Sequence, residues 1–299
     1  MMTAHDLQTL LSSTEAPLLV QVLPEEVFAA RRIPGSRQAC VYEMAFLDQI
    51  AAITADKAQA MIVYGAGGGS LDAQVAAGKL SAAGYGHVTV LAGGLDAWVE
   101  AGLPVESDCN LPAAPALSGS YRVDTAESLI RWTGRNLFNH HNGTVRLAEG
   151  EITLRDNALV AARISIAMES IACEDIPDSA MNQMLIAHLH SDDFFDVAHH
   201  PVAEFTTQSI TPLQSCTDGT PNYLLRGNFT LRGITREIEF PILVATADGS
   251  RLTAQGVLDL DRTEFGSVYG SGRFFRFLGK HIVNDHIHLH IKLHADLTA

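Results

Sequence analysis

The sequence predicts two domains of different class: an N-terminal α/β domain built on a parallel sheet, and a C-terminal all-β antiparallel barrel. Three observations predict it. The chain has 299 residues, a length that as a prior suggests two domains. Over roughly the first hundred residues short apolar runs alternate with helical stretches. After residue 120 the apolar period changes to two, the period of half-buried strands. Hydrophobic residues make up 47% of the chain, so either part can bury a core of its own.

The N-terminal elements follow in order. Residues 18–22 (LLVQV) read as a buried strand, and residues 24–30 as a short helix with proline near its start. Residues 60–64 (AMIVY) and 87–91 (HVTVL) are two further buried strands. Between them an alanine-rich helix over about 71–83 is closed by Gly84. Strand, helix, strand in that order implies a parallel sheet. This domain is expected over 1–108. Residues 109–119 (CNLPAAPALSG) carry two prolines and little periodicity, which predicts a linker.

The second domain is expected over 120–299. In residues 159–168, Val160, Ala162, Ile164, Ile166 and Met168 share one face, with Arg163 and Ser165 on the other. Residues 237–244 put Ile238, Phe240, Ile242 and Val244 on one side. Residues 251–260 do the same with Leu252, Ala254, Leu258 and Leu260. Residues 285–293 do so with Ile287, Leu289, Ile291 and Leu293. Strict alternation means antiparallel strands with one dry face. Turn signals recur at Asn142-Gly143, Asp218-Gly219 and Asp248-Gly249. A closed barrel satisfies every strand edge. A helical insert over about 178–190 interrupts the series.

The formal charge of −14 argues against a nucleic-acid partner, which needs a basic face. It also argues against docking on anionic membranes by charge alone. The N-terminus (MMTAHDLQTLL) has no basic region and no long apolar run, and the first Lys or Arg is Arg31. Neither signal peptide nor transmembrane segment is expected, which predicts a cytoplasmic protein. Cys40, Cys109, Cys173 and Cys216 form no C-x-x-C pair and are expected to be free thiols.

The strand at 60–64 runs into Gly65-Ala66-Gly67-Gly68-Gly69-Ser70 and then a helix. Such a loop offers backbone N–H groups to an anion. It is not G-x-G-x-x-G, nor a P-loop, nor a nucleophile elbow, since Asp72 stands where the elbow needs glycine. With residues 32–36 (RIPGS) before it, and 91–98 (LAGGLDAW) and 101–105 (AGLPV) after it, the stretch resembles a rhodanese domain over about residues 3–105. The resemblance implies a cysteine as the first loop residue, its pKa lowered by loop amides to carry a persulfide. Here that position is Gly65, and the loop holds neither sulfur nor arginine. Gln21 and Leu23 stand where an Asp and an Arg are usual. The domain is therefore expected to be an inactive sulfurtransferase, serving as a protein-partner or dimerisation module.

Five stretches of the second domain resemble the YceI-like family of lipocalin-like barrels. They are Tyr121-Arg122-Val123-Asp124 with Ser128, residues 188–197 (HLHSDDFFDV), His200-Pro201 leading to Phe205, residues 226–235 (RGNFTLRGIT) and residues 261–266 (DRTEFG). The resemblance implies binding of a polyisoprenoid or other long-chain lipid in the lumen. The ligand would be isoprenoid, quinone-like or fatty-acyl, and no other cofactor is expected. An eight-stranded barrel can hold one ligand or fill itself with side chains. Trp132, Phe205, Phe229 and Phe240 lie on or near apolar strand faces and are candidate contacts. Phe274 and Phe275, between Arg273 and Arg276, form one candidate lip of the mouth. Phe194 and Phe195 form the other.

Of 13 histidines, His286, His288 and His290 share a strand face and are the candidate metal ligands. Their opposite face is apolar and should face the lumen, which leaves them in solvent. Two alternatives to lipid binding stay open at this point. One is an enzyme with metal chemistry at the histidines or residual sulfur or anion chemistry at the Gly65 loop. The other is a structural protein with a self-filled barrel.

Overall fold

The computed structural model describes residues 2–12, 16–108, 117–214, 217 and 219–298. Most of the expected linker, Cys109, Cys216 and Asp218 of one turn signal lie outside the described residues. The chain divides into two compact units, residues 1–114 and 115–299. No helix among the described residues is long and apolar enough to cross a membrane.

The first unit runs α1 (Ala4–Leu11), β1 (Leu18–Gln21), α2 (Glu25–Ala30), β2 (Arg37–Gln38), α3 (Phe46–Ile53), β3 (Met61–Tyr64), α4 (Asp72–Ala82), β4 (Val88–Val90) and α5 (Gly94–Glu100). Its sheet has the order β2-β1-β3-β4, and every pairing is parallel. Alternate strand residues feed two cores. Val20 and Val63 pack with Phe46 and Ile50 of α3 and Leu80 of α4. Leu19, Ile62 and Tyr64 pack with Leu7 of α1 and Trp98 of α5. A sheet covered on both faces needs continuous apolar strands, which is why these segments do not alternate. Pro24 caps α2 instead of opening it, and Gly84 follows the end of α4 in the left-handed region, φ 93°.

The second unit runs β5 (Gly119–Val123), β6 (Leu129–Arg135), β7 (His140–Arg155), β8 (Ala158–Cys173), α6 (Ser179–His190), β9 (Val202–Pro212), β10 (Tyr223–Leu231), β11 (Ile234–Thr246), β12 (Arg251–Asp261) and β13 (His286–Leu297). Neighbouring strands are antiparallel throughout, and β12–β13 and β6–β7 pairings close the sheet. β5 and β6 both lie between β7 and β13, so nine strand segments make a barrel of eight positions. The insert is α6, capped by the Asp178 side chain, which accepts from Met181 N–H at 2.8 Å.

Two local expectations are corrected. Val160 was expected on the inner face, yet it is 41% exposed, and Leu159 is buried in its place. The register of β7 on β8 shifts there, with Thr153 opposite Ala161 but Leu154 opposite Leu159. An extra residue in one strand reverses the face of everything beyond it. Asn142-Gly143 is not a turn but lies inside β7. A Cβ on Gly143 would overlap the Ala172 carbonyl oxygen and press on the Trp132 ring, so the glycine serves close backbone approach. The β7–β8 turn is instead Asp156-Asn157, both left-handed at φ 50° and 66°, the signature of a two-residue hairpin.

Candidate functional site

The inner faces of the barrel strands enclose a lumen of two joined chambers. The deep chamber has a volume of ≈ 70 Å³ and is lined by apolar side chains alone, among them Ile164, Phe205, Phe240 and Ile242. Phe205 and Phe240 meet at 5.3 Å between ring centroids. The upper chamber has a volume of ≈ 330 Å³. Ile130, Ile166, Phe229, Leu260 and Leu289 line both, so the two chambers adjoin. The apolar sides of β11, β12 and β13 point inward as their alternation predicts.

The upper chamber is framed by segments from distant parts of the chain. After α6 the chain turns sharply. Phe195 N–H donates to Leu189 O at 3.2 Å and Val197 N–H to His190 O at 3.0 Å. This turn drives Phe194 and Phe195 inward, where both are buried and line the chamber. The His188 ring stands edge-on to Phe194 at 5.0 Å and to Tyr269 at 4.5 Å. Arg262 is 1% exposed and lies over the Phe194 ring at 5.2 Å. Its guanidinium donates to the carbonyls of Ser267 at 2.5 Å, Tyr269 at 2.8 Å and Asn284 at 3.1 Å. Burial depresses its pKa, while Asp285 and Asp261 oppose that shift. Arg232 donates to Asp192 O and Gly266 O, both at 2.5 Å, and so joins the β10–β11 hairpin to the other two segments. Among the described residues the chamber lining holds the basic side chains Arg135, His141, His188, Arg262, Lys280 and His281 and no carboxylate.

Of the expected contacts, Trp132, Phe194, Phe195 and Phe229 line the upper chamber, and Phe205, Phe229 and Phe240 the deep one. Phe274 and Phe275 line neither and are exposed. Sequence reasoning missed Arg262, His188 and Tyr269 as lining residues. The signal for Arg262 was an arginine inside a turn motif, but only the fold shows what its donors reach.

His286, His288 and His290 lie on the outer face of β13. The His288 Nδ1 meets Asp259 Oδ1 at 3.0 Å, across the register that sets Asp259 opposite His288. Among the described residues no group of three or more His, Cys, Asp or Glu is placed to hold a metal ion.

In the first unit the glycine loop is already occupied. Asp72 is 5% exposed, and its carboxylate accepts from Ala66 N–H at 3.1 Å, Ser70 Oγ at 2.9 Å and Ala73 N–H at 2.7 Å. A Cβ on Gly65 would overlap that carboxylate. Gly67, Gly68 and Gly69 are all left-handed, at φ 110°, 56° and 91°. The loop is anchored from behind. The Tyr64 hydroxyl accepts from Ile33 N–H at 3.0 Å and bonds Ser36 Oγ at 2.9 Å, and burial pushes its pKa up to about 12. Cys40 is buried, and its own N–H donates to Gln49 Oε1 at 2.8 Å. Burial pushes the Cys173 thiol up from its ordinary value.

A closed antiparallel barrel with a largely apolar lumen follows an α/β unit with a sulfur-free loop in the chain. The YceI-like domain model matches residues 121–295 and the rhodanese-like domain model residues 3–101. The chain belongs to the YceI-like family and carries a rhodanese-like domain ahead of the barrel. Solved structures similar to it include Burkholderia cenocepacia BcnA, at 23% identity over 57% of this chain and 98% of that one, with a TM-score of 0.46. Another is a polyisoprenoid binding domain from Saccharophagus degradans, at 14% identity over 60% and 98%, with a TM-score of 0.42. A third is the Campylobacter jejuni YCEI protein, at 20% identity over 48% and 75%, with a TM-score of 0.35. No curated protein matches the chain.

Proposed function

We propose that the barrel holds one apolar, lipid-like molecule with an isoprenoid, quinone-like or fatty-acyl chain, and that the rhodanese-like unit is a non-catalytic module for a protein partner. The observation that carries the first part is the pair of adjoining chambers inside the barrel, the deep one lined by apolar side chains alone and polar groups only in the upper one. A buried methylene contributes about 0.8 kcal/mol, so ten of them offer about 8 kcal/mol gross before the cost of ordering the chain. A few polar groups near the mouth then suffice to fix a head group. Membership of the YceI-like family supports the same reading. The second part is supported by the absence of sulfur from the loop and by the Asp72 carboxylate, which fills the space beside Gly65 and accepts from Ala66 N–H and Ser70 Oγ.

The test is mass spectrometry on protein purified without detergent, run natively and after organic extraction. A defined lipid mass at near one per chain is expected. A clean apo mass that stays unchanged after incubation with isoprenoid and fatty-acid mixtures would overturn the proposal.

A further inference from the structure

The barrel mouth carries exposed aromatic side chains that do not line the lumen, with cationic ones beside them. The turn between β6 and β7 exposes Leu137 and Phe138, the latter 74% exposed. In that turn Asn136 Oδ1 accepts from both Phe138 N–H and Asn139 N–H, at 2.9 and 2.7 Å. The loop before β13 exposes Phe274, Phe275 and Phe277, the last at 103%. The two stretches are neighbours. Asn136 forms an isolated bridge with Val283, and Asn284 N–H donates to Arg135 O at 2.8 Å. Both border the opening, since Arg135, Asn136, Lys280 and His281 line the upper chamber.

Phe277 stands at φ 62°, a backbone region that bulky side chains rarely adopt. The fold thus holds an aromatic ring out in water on a disfavoured backbone, which points to function more than to packing. The charges around it are local and basic. Arg273 lies 5.9 Å from the Phe274 ring centroid and pairs with Asp261 at 3.2 Å. Asp175 is engaged by His141 at 2.9 Å and Glu174 by Arg131 at 2.7 Å. Among the described residues Arg135, Arg276 and Lys280 have no acidic partner within salt-bridge reach.

We propose that this rim docks on the surface of an anionic lipid bilayer, with the phenylalanines entering the headgroup–acyl boundary and the lumen opening toward the lipid. Aromatic rings favour that boundary, and basic side chains beside it are drawn to anionic headgroups. The net charge of −14 opposes docking of the chain as a whole, but the rim sets Arg135, Arg276 and Lys280, without acidic partners among the described residues, beside the exposed phenylalanines. A second copy of the same basic rim is the poorer occupant, because like charges would face each other.

The test is flotation of the full chain with vesicles of phosphatidylcholine alone, and of phosphatidylcholine with phosphatidylglycerol in equal parts. The wild type is expected to float with the anionic vesicles at low salt and to release as salt rises. Arg276→Glu with Lys280→Glu is expected to weaken that binding about tenfold or more. Phe274→Ser with Phe277→Ser is expected to weaken binding to a similar degree, about tenfold. All four positions are exposed, and unchanged near-ultraviolet circular dichroism guards against a folding defect. A wild type that does not float overturns the proposal, as do variants that float as it does. A rim-dependent dimer by sedimentation without vesicle binding also overturns it and assigns the rim to a chain–chain contact.

Discussion

A cysteine placed at position 65 would have to displace the Asp72 carboxylate from three hydrogen bonds. Gly65→Cys alone is therefore expected to destabilise the first unit by about 1–3 kcal/mol through overpacking and to show no thiosulfate turnover. Gly65→Cys with Asp72→Ala should recover most of that stability. Denaturant unfolding and a sulfurtransferase assay check both; a fully stable, active single variant would show that the loop is not self-occupied. The missing sulfur was legible in the sequence, because one residue identity decides it. The occupying carboxylate was not, because it depends on how three left-handed glycines fold the loop back. A second pair lies in the segment between α6 and β9. His199 Nδ1 lies 2.7 Å from Asp196 Oδ1. The hydrogen bond to Asp196 raises the His199 pKa, and the same bond lowers that of Asp196. The stabilisation from Asp196 is present above the ordinary carboxylate value of 3.8 and fades as pH falls through its lowered value. That from His199 is full below the ordinary imidazole value of 6.5 and fades as pH rises through its raised value. In an NMR titration His199 should therefore titrate above 6.5, and Asp196→Asn should bring it back. Asparagine suits the left-handed backbone of Asp196, φ 49°, so an unmoved His199 would mean that the pair does not form in solution.

Strand period located the barrel elements, since a dry face and a wet face leave no other solution for Ile238 to Val244 or Ile287 to Leu293. It failed where the backbone departs from that period. The bulge in β8 turns Val160 out and Leu159 in, and no side chain near it announces the extra residue. Gly143 looked like a turn because Asn-Gly favours one, yet the need to let Ala172 and Trp132 approach keeps it in β7. The bulge yields a discriminating pair of substitutions. Leu159→Ala should cost about 2–5 kcal/mol, the range for an emptied core leucine. Val160→Ala should stay within about 0.5 kcal/mol, as exposed positions do. Urea unfolding measures both, and the opposite ranking would place Val160 inside after all. The aromatic positions divide in the same way. Phe205, Phe229 and Phe240 sit on regular strands and line the lumen, whereas Phe274 and Phe275 sit in a loop whose path only the fold shows.

Net charge is a whole-chain quantity, and at that scale it pointed away from membranes, while Arg135, Arg276 and Lys280 lie on the segments beside the opening of one unit. Stability divides between the units for a related reason. Each has its own core, Val20, Phe46 and Leu80 in the first and Phe205, Phe240 and Leu252 in the second. Each core is built from residues of its own unit, so a molecule bound in the lumen stabilises the barrel by mass action and leaves the first unit unchanged. At about a hundredfold excess over its Kd, a ligand adds about 2.7 kcal/mol to the state that binds it. For a unit the size of this barrel that corresponds to a rise in Tm of roughly 5 to 10 °C. Scanning calorimetry of the full chain should show two transitions, of which one rises with added isoprenoid or fatty-acyl lipid. Organic extraction before the scan should lower the same transition by a similar amount. Trp132 lines the upper chamber and Trp98 lies in α5, so Trp132→Phe removes the barrel's fluorescence signal and assigns the transitions. If the transition that moves is the one reported by Trp98, the ligand binds the rhodanese-like unit and the lumen is not its site.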